Sequence, residues 1–232
     1  MNKRKIILPL LIVIVALIIG GGIMFSQKQY KSKEIFTPIA DTTKNIEIRP
    51  ISNSDHVYGN PDANVLIVEY ADLECPSCRS FHSTLKYVME NYAKSGEVAW
   101  VYRHFPVEKQ HPNSRAAAQA SECVASVAGE KTFWSYIDKL YENSPTSLLT
   151  DNLKKTAIDL GVDETKYDSC IILNQTSEII DQSLADGKKI FEADSNFGTP
   201  YTILVSRSGL QAQLVGNHPL EDVLKIISIM NE

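Results

Sequence analysis

Residues Val65–Ala71 (VLIVEYA) form a short apolar run that reads as a covered strand, with Pro61, Asp62 and Asn64 supplying the turn before it. A helix is predicted from about Cys75 or Pro76 to Lys94, because Phe81, Leu85, Val88, Met89 and Tyr92 recur at three- and four-residue spacing and build one apolar stripe. Pro76 suits the first turn, where a missing N–H costs no intrahelical bond. Gly96 ends this helix, and 98–105 reads as a second strand. Strand, helix and strand in that order imply a parallel pair with a right-handed crossover, so the chain is an α/β protein.

From His111 to about Phe191 the pattern is helical. Ala116, Ala117, Ala118 and Ala120 favour a first helix, and others are expected at 130–141, 149–160, 164–174 and 179–191, the third of these four capped by Asp163. Strand character returns at 201–205 and 212–215 around Ser208-Gly209, a hairpin signal. Pro219 then opens a last helix that buries Leu220, Val223, Leu224 and Ile227. The body, 57–232, therefore reads as β-α-β, a helical insertion at 111–191, and β-β-α.

The amino terminus is of another kind. Residues 6–25, IILPLLIVIVALIIGGGIMF, carry no charge, and a helix of that length spans roughly 30 Å, the hydrocarbon thickness of a bilayer. Lys3, Arg4 and Lys5 precede it, so 1–5 is expected to be a cytoplasmic tail, 6–25 a single-pass transmembrane anchor, and everything later extracytoplasmic. A cleaved secretory signal is the alternative; Gly20, Gly21 and Gly22 supply small residues, but no clear Ala-x-Ala site follows. Residues 26–56, polar and holding Pro38 and Pro50, read as a stalk with a short strand near 46–49. Of 23 basic residues three lie in that basic cluster, and the remaining 20 against 28 acidic leave −8, which argues against a broad nucleic-acid surface.

Four cysteines, at 75, 78, 123 and 170, fit an oxidising compartment. They permit three pairings, among which sequence alone does not choose. The short Cys75-Pro76-Ser77-Cys78 segment set against two distant cysteines in the insertion suggests one redox pair and one structural bond, Cys123–Cys170. The redox reading rests on context: a sulfur at a helix N-terminus lies beside N–H groups without intrahelical partners, which favour its thiolate. Cys75 is then the nucleophile, and Cys78, one turn inside, the resolving thiol. Ser77 adds no positive charge, so the strength of the oxidant stays open, and Glu74 is a modulator. A zinc site would need ligands beyond His82 and Cys78, and no second nearby Cys-x-x-Cys exists, so no metal is expected. Glu69, an acid inside an apolar strand, either is buried with a perturbed proton affinity or faces solvent at a sheet edge.

VLIVEYADLECPSC at 65–78, VYRHFPV at 101–107, AAAQASEC at 116–123 and FGTPY at 197–201 together resemble the DsbA-like, thioredoxin-fold thiol–disulfide oxidoreductases, in a membrane-anchored bacterial form. The resemblance covers nearly all of the chain after about His56. It implies that Pro200 is a cis-proline facing the active-site disulfide, with Thr199 presenting backbone groups to an extended substrate peptide and Pro76 and Ser77 among the substrate contacts. It also implies that Glu69 helps move the proton of the second thiol. His104 and His111 are read as fold-bearing. The activity expected is extracytoplasmic oxidation of substrate protein thiols, with a membrane quinone-linked partner restoring the disulfide; no flavin, nicotinamide or metal motif is present, so no cofactor is expected. A reductase or isomerase of the same fold is the nearest rival. A membrane-tethered, non-catalytic module binding metal or protein is the rival of another class.

Overall fold

The computed structural model describes residues 46–92, 96–194 and 196–231; the expected tail, transmembrane anchor and stalk up to residue 45 lie outside them. The first strand is β1 (His56–Gly59), followed by β2 (Val65–Ala71), α1 (Pro76–Tyr92) and β3 (Val98–His104). The parallel pair the sequence implies is β2 with β3, running from Val65↔Val98 to Ala71↔His104. After the insertion come β4 (Tyr201–Ser206) and β5 (Gln211–Val215), an antiparallel hairpin that joins the other side of β2, with Glu69 opposite Thr202. Sheet order is β1-β3-β2-β4-β5, so the strand that leads to the cysteines is central.

Alternation along β2 divides the core. Ile67 and Ala71 join the larger cluster with Phe81, Leu85 and Met89 of α1, whereas Val68 and Tyr70 join Val101, Tyr201 and Ile203 on the opposite face. Glu69 follows the period of Ile67 and Ala71, and so lies on the face covered by α1.

The insertion holds α2 (Ser114–Ala128), α3 (Glu130–Glu142), a 3₁₀ turn (Thr146–Leu148), α4 (Thr150–Asp159), α5 (Glu164–Ile172) and α6 (Ser177–Ala193); α7 (Leu220–Met230) ends the chain. Asp163 caps α5, its carboxylate accepting from the Lys166 N–H at 2.9 Å. Gly187 lets α6 approach the end of β3, since a Cβ there would lie 2.5 Å from the Phe105 ring. Cys123 and Cys170 are disulfide-bonded and tie α2 to α5 across 47 positions. Replacing both by alanine is expected to cost about 4 kcal/mol from the freed loop entropy of the unfolded chain. Urea denaturation tests this; a loss below about 1 kcal/mol would contradict it.

Two local expectations differ from the fold. No strand forms at 46–49: Ile46 is held by a side chain, its N–H donating to Gln211 Oε1 at 2.8 Å and its carbonyl accepting from Gln211 Nε2 at 3.1 Å. Strand β1 falls where the stalk was expected to end. Its HVYG sequence has little apolar alternation, and its pairing with β3 is reinforced by His56 Nδ1 meeting Glu130 at 2.8 Å. Residues 46–56 thus pack on the domain, with Ile46 buried in the second cluster.

Candidate active site

The segment Asp72–Cys75 leaves the central strand and turns into α1: the Cys75 N–H donates to the Asp72 carbonyl at 3.1 Å, and the Cys75 carbonyl accepts from the Arg79 N–H at 3.1 Å. Cys75 is therefore the boundary residue of the helix, placed as its first carbonyl acceptor. It is 7% exposed, and Cys78 is 0% exposed. The two thiols are driven apart in acidity. A hydrogen bond from Cys78, aided by the N–H groups of Cys78 and Ser77, outweighs burial and lowers the Cys75 thiol to about 5. Burial first, then the neighbouring Cys75 sulfur and Glu69, hold the Cys78 thiol well above its ordinary range. Its sulfur accepts the Asp72 N–H at 3.4 Å.

Glu69 is 1% exposed, so the solvent-edge alternative does not hold. Its Oε2 accepts from the Trp100 indole at 3.0 Å, and burial pushes its carboxyl up to about 8, against that bond. A neutral acid next to the resolving thiol meets the cost of burial by keeping its proton.

The Thr199–Pro200 peptide is cis, and Cys75 Sγ lies 3.4 Å from the Thr199 carbonyl oxygen. Cys75, Gly198 and Thr199 border a groove of about 570 Å³ with Phe105, Val107, Phe197 and the half-exposed Phe191 for walls and Lys188 at its rim. Phe197 fixes the wall, its ring centroid 4.8 Å from both Phe105 and Tyr201. Pro76 and Ser77 are exposed at the start of α1. Cys75, Cys78, Glu69 and Thr199 therefore converge, while the Cys123–Cys170 bond sits apart in the insertion.

Other residues take clearer parts than the sequence suggested. Glu74 is pinned by the Asn113 N–H at 2.7 Å and its amide at 2.9 Å, which anchors the start of α2 rather than the thiolate. His104 is buried beside Ser121 and Glu122, its imidazole lowered to about 4 by burial. His111 meets Asp72 at 2.9 Å and also lines the groove that Cys75 borders. His82 bonds Asp138 at 2.7 Å, and among the described residues no three His, Cys, Asp or Glu side chains are placed to hold a metal. Asp72 was missed: its Oδ2 accepts from the Val107 N–H at 2.6 Å as well as facing His111, and so gathers the loops around Cys75. An acid directly after the strand was the available signal. Trp100 was missed too, although its place beside Ile67 in the parallel register puts it on the Glu69 face.

Comparison with known proteins agrees with this geometry. The chain is 30% identical over 150 residues to a Na(+)/H(+) antiporter NhaA 1 of Mycolicibacterium gilvum, a match covering 64% of this chain and 23% of the antiporter. The chain thus spans about a quarter of that relative's length. It is 26% identical over 207 residues to a putative protein-disulfide oxidoreductase of Rickettsia felis, covering 83% of this chain and 68% of that one. Among solved structures, BdbD from Bacillus subtilis in its oxidised form superposes with a TM-score of 0.65 at 19% identity over 81% of this chain and 98% of that one, a likeness of fold. The thioredoxin family model matches residues 52–205, from just before β1 into β4. With the central strand, the paired cysteines and the cis-proline loop all inside that match, the chain belongs to the thioredoxin family.

Proposed function

We propose that the chain is an extracytoplasmic thiol–disulfide oxidoreductase that oxidises substrate protein thiols through a Cys75–Cys78 disulfide. The observation that carries this reading is the asymmetry of the pair: an acidic Cys75 at the mouth of the groove, with Cys78 and a protonated Glu69 enclosed behind it. A substrate thiolate attacks Cys75 Sγ, the Cys75–Cys78 bond breaks, and Cys78 leaves as a thiolate that takes the Glu69 proton. A second substrate thiolate attacks the substrate sulfur of the mixed disulfide. Cys75 leaves as its stable thiolate, and the substrate departs with a disulfide. A thiol of low pKa is a good leaving group, so a stabilised Cys75 thiolate drives electrons toward this protein.

In this reading Thr199 and Pro200 hold the substrate backbone beside Cys75, Pro76 and Ser77 contact it from the helix side, and the Phe-lined groove takes its side chains. Residues 6–25 anchor the chain, 1–5 lie inside the cell, the stalk expected at 26–56 links anchor to domain only up to residue 45, and the body from 46 onward works outside with its insertion at 111–191. Reoxidation falls to a quinone-linked membrane partner. The R. felis relative's name supports the activity, and the apolar, charge-flanked 6–25 segment supports the location.

Iodoacetamide labelling of the reduced protein against pH tests the carrying observation. Cys75 is expected to react with a midpoint near pH 5, rather than near the 9 of an unperturbed thiol. Equilibration in glutathione buffers then fixes direction. A reduction potential above about −200 mV is expected of an oxidant, and one below about −250 mV would make the protein a reductase.

A further inference from the structure

Behind the thiols, three buried polar atoms lack hydrogen-bond partners: Glu69 Oε1, Thr202 Oγ1 and His82 Nδ1. Thr202 is the cross-strand partner of Glu69 in β4. Trp100 joins Glu69 to His82, donating its indole N–H to Glu69 Oε2 while its ring centroid lies 5.1 Å from the imidazole. His82 stands one helical turn beyond Cys78, on the same buried face of α1. Its other nitrogen, Nε2, meets Asp138 Oδ1 at 2.7 Å, and Asp138 Oδ2 holds Lys86 Nζ at 2.7 Å. These three side chains line a polar cleft of about 610 Å³ between α1 and α3, on whose walls Lys86 and Asp138 are partly exposed. His82 thus has one nitrogen in the closed interior and the other on a carboxylate that reaches solvent.

We infer that His82 and Asp138 are the proton port of the buried Cys78–Glu69 pair, opening into the cleft between α1 and α3. This rests on the redox reading above, and the reaction itself creates the need. Each oxidation releases Cys78 as a thiolate; Glu69 gives it a proton and becomes a buried carboxylate. Burial keeps Glu69 protonated in the reduced protein as well, so one proton enters from solvent after each oxidation and one must leave again when Cys78 next attacks a mixed disulfide. At that stage the substrate is bonded to Cys75 and fills the groove, which closes the front route to water. The rear route joins Glu69 to His82 Nδ1, which accepts, and His82 Nε2, whose N–H donates to the Asp138 carboxylate at the cleft. The inference places one buried water between Glu69 Oε1 and His82 Nδ1, the link that would complete the route and give both atoms a partner. The groups that face His82 are Lys86 on α1, Asp138, Tyr141 and Glu142 on α3, and Trp100 on β3. Burial lowers the imidazole below its ordinary value despite Asp138, so it is neutral at pH 7 and can accept on one nitrogen while donating on the other. His82 is a positioning residue that acts through Glu69.

The test is the rate at which an excess of a disulfide peptide reoxidises the reduced Cys75–Cys78 pair of the full chain, a step in which the interior must give up a proton, followed by tryptophan fluorescence. His82→Ala and His82→Phe are each expected to slow this step about tenfold and to introduce a solvent deuterium effect that the parent lacks. The pH midpoint of Cys75 alkylation should be unchanged in both. Imidazole in the buffer should restore His82→Ala, whose cavity opens to the cleft, and leave His82→Phe slow. A parental rate in folded His82→Phe, or a slow His82→Ala that imidazole does not restore, would overturn the port. Should both variants fail to fold, Asp138→Asn at the cleft wall carries the same expectation, with a loss of about threefold and the same deuterium effect. A parental Asp138→Asn would then overturn it. A parent that exchanges no thiols at all removes the redox reading instead, so the two failures are distinguishable.

Discussion

Replacing Cys75 by serine is expected to lower thiol–disulfide exchange by at least about a thousandfold, to the uncatalysed background, while replacing Cys78 by serine leaves a reactive Cys75 that stalls as a mixed disulfide. The two substitutions differ because the two sulfurs do. Cys75 begins α1, meets the groove at Thr199 and is an anion at neutral pH, so it makes and breaks every bond to substrate. A serine hydroxyl there is neither a nucleophile of that strength nor able to hold a disulfide. Cys78 is wholly enclosed, its sulfur meeting the Asp72 N–H and its partner thiol inside the core, so it cannot reach a substrate protein. Its work is intramolecular: held one turn from Cys75, it attacks the mixed disulfide at an effective concentration no free thiol attains. Non-reducing electrophoresis of Cys78→Ser incubated with an oxidised peptide should show a stable adduct at Cys75, absent from Cys75→Ser. The reading fails if Cys75→Ser retains exchange, or if Cys78→Ser reacts with a model disulfide no faster than free glutathione.

The parts of the site carried by local chemistry were legible in the chain. A covered strand followed by Cys-Pro-Ser-Cys at a helix start places both sulfurs, and an acid inside that strand has few tolerable positions, so Glu69 announced itself. Its parity with Ile67 and Ala71 even gives the face it occupies. What could not be read is what depends on contacts between distant segments. Strand β1 is four residues with a glycine, and exists because it pairs with β3 and His56 finds Glu122 and Glu130. Asp72 and His82 look like ordinary polar residues until the fold brings Val107, His111 and Asp138 to them. The 46–49 segment, extended but unpaired with any strand, shows the converse: one glutamine side chain replaces a ladder that β propensity alone seemed to promise.

Arg103 should be the most costly single charge to remove, with a loss of about 3–5 kcal/mol for Arg103→Met at pH 7. It is 1% exposed in β3, and its guanidinium is fully used. Nε donates to Asp55 at 2.8 Å, one terminal nitrogen to Asp186 and the Tyr70 hydroxyl at 2.8 Å each, and the other to the Arg49 carbonyl at 2.9 Å. Tyr70 in turn donates to Asp186. One side chain therefore ties residues 49–55, the sheet and α6 together. Burial raises the Asp55 carboxyl, but Arg103 and Arg49 outweigh it and hold it below its ordinary value. Its folded-state affinity for protons is thus depressed, so its contribution is complete above the unfolded carboxylate value near 4 and fades as pH falls through the lower folded one. Without Arg103 the sign inverts. Asp55 becomes a buried acid short of a partner, its folded value rises above the unfolded one, and the protein loses stability as pH climbs through it. The penalty of Arg103→Met, read by urea unfolding, should therefore be largest at pH 7 and shrink toward pH 4; a penalty independent of pH, or below about 1 kcal/mol, would show that packing and not charge pairing sets the value of this site. Because α6 also carries Lys188 and Phe191 to the groove, the same variant, measured below its unfolding temperature, should weaken peptide oxidation through a higher KM while Cys75 keeps its alkylation midpoint. Stability and substrate capture are coupled here through a helix that the redox chemistry itself never touches.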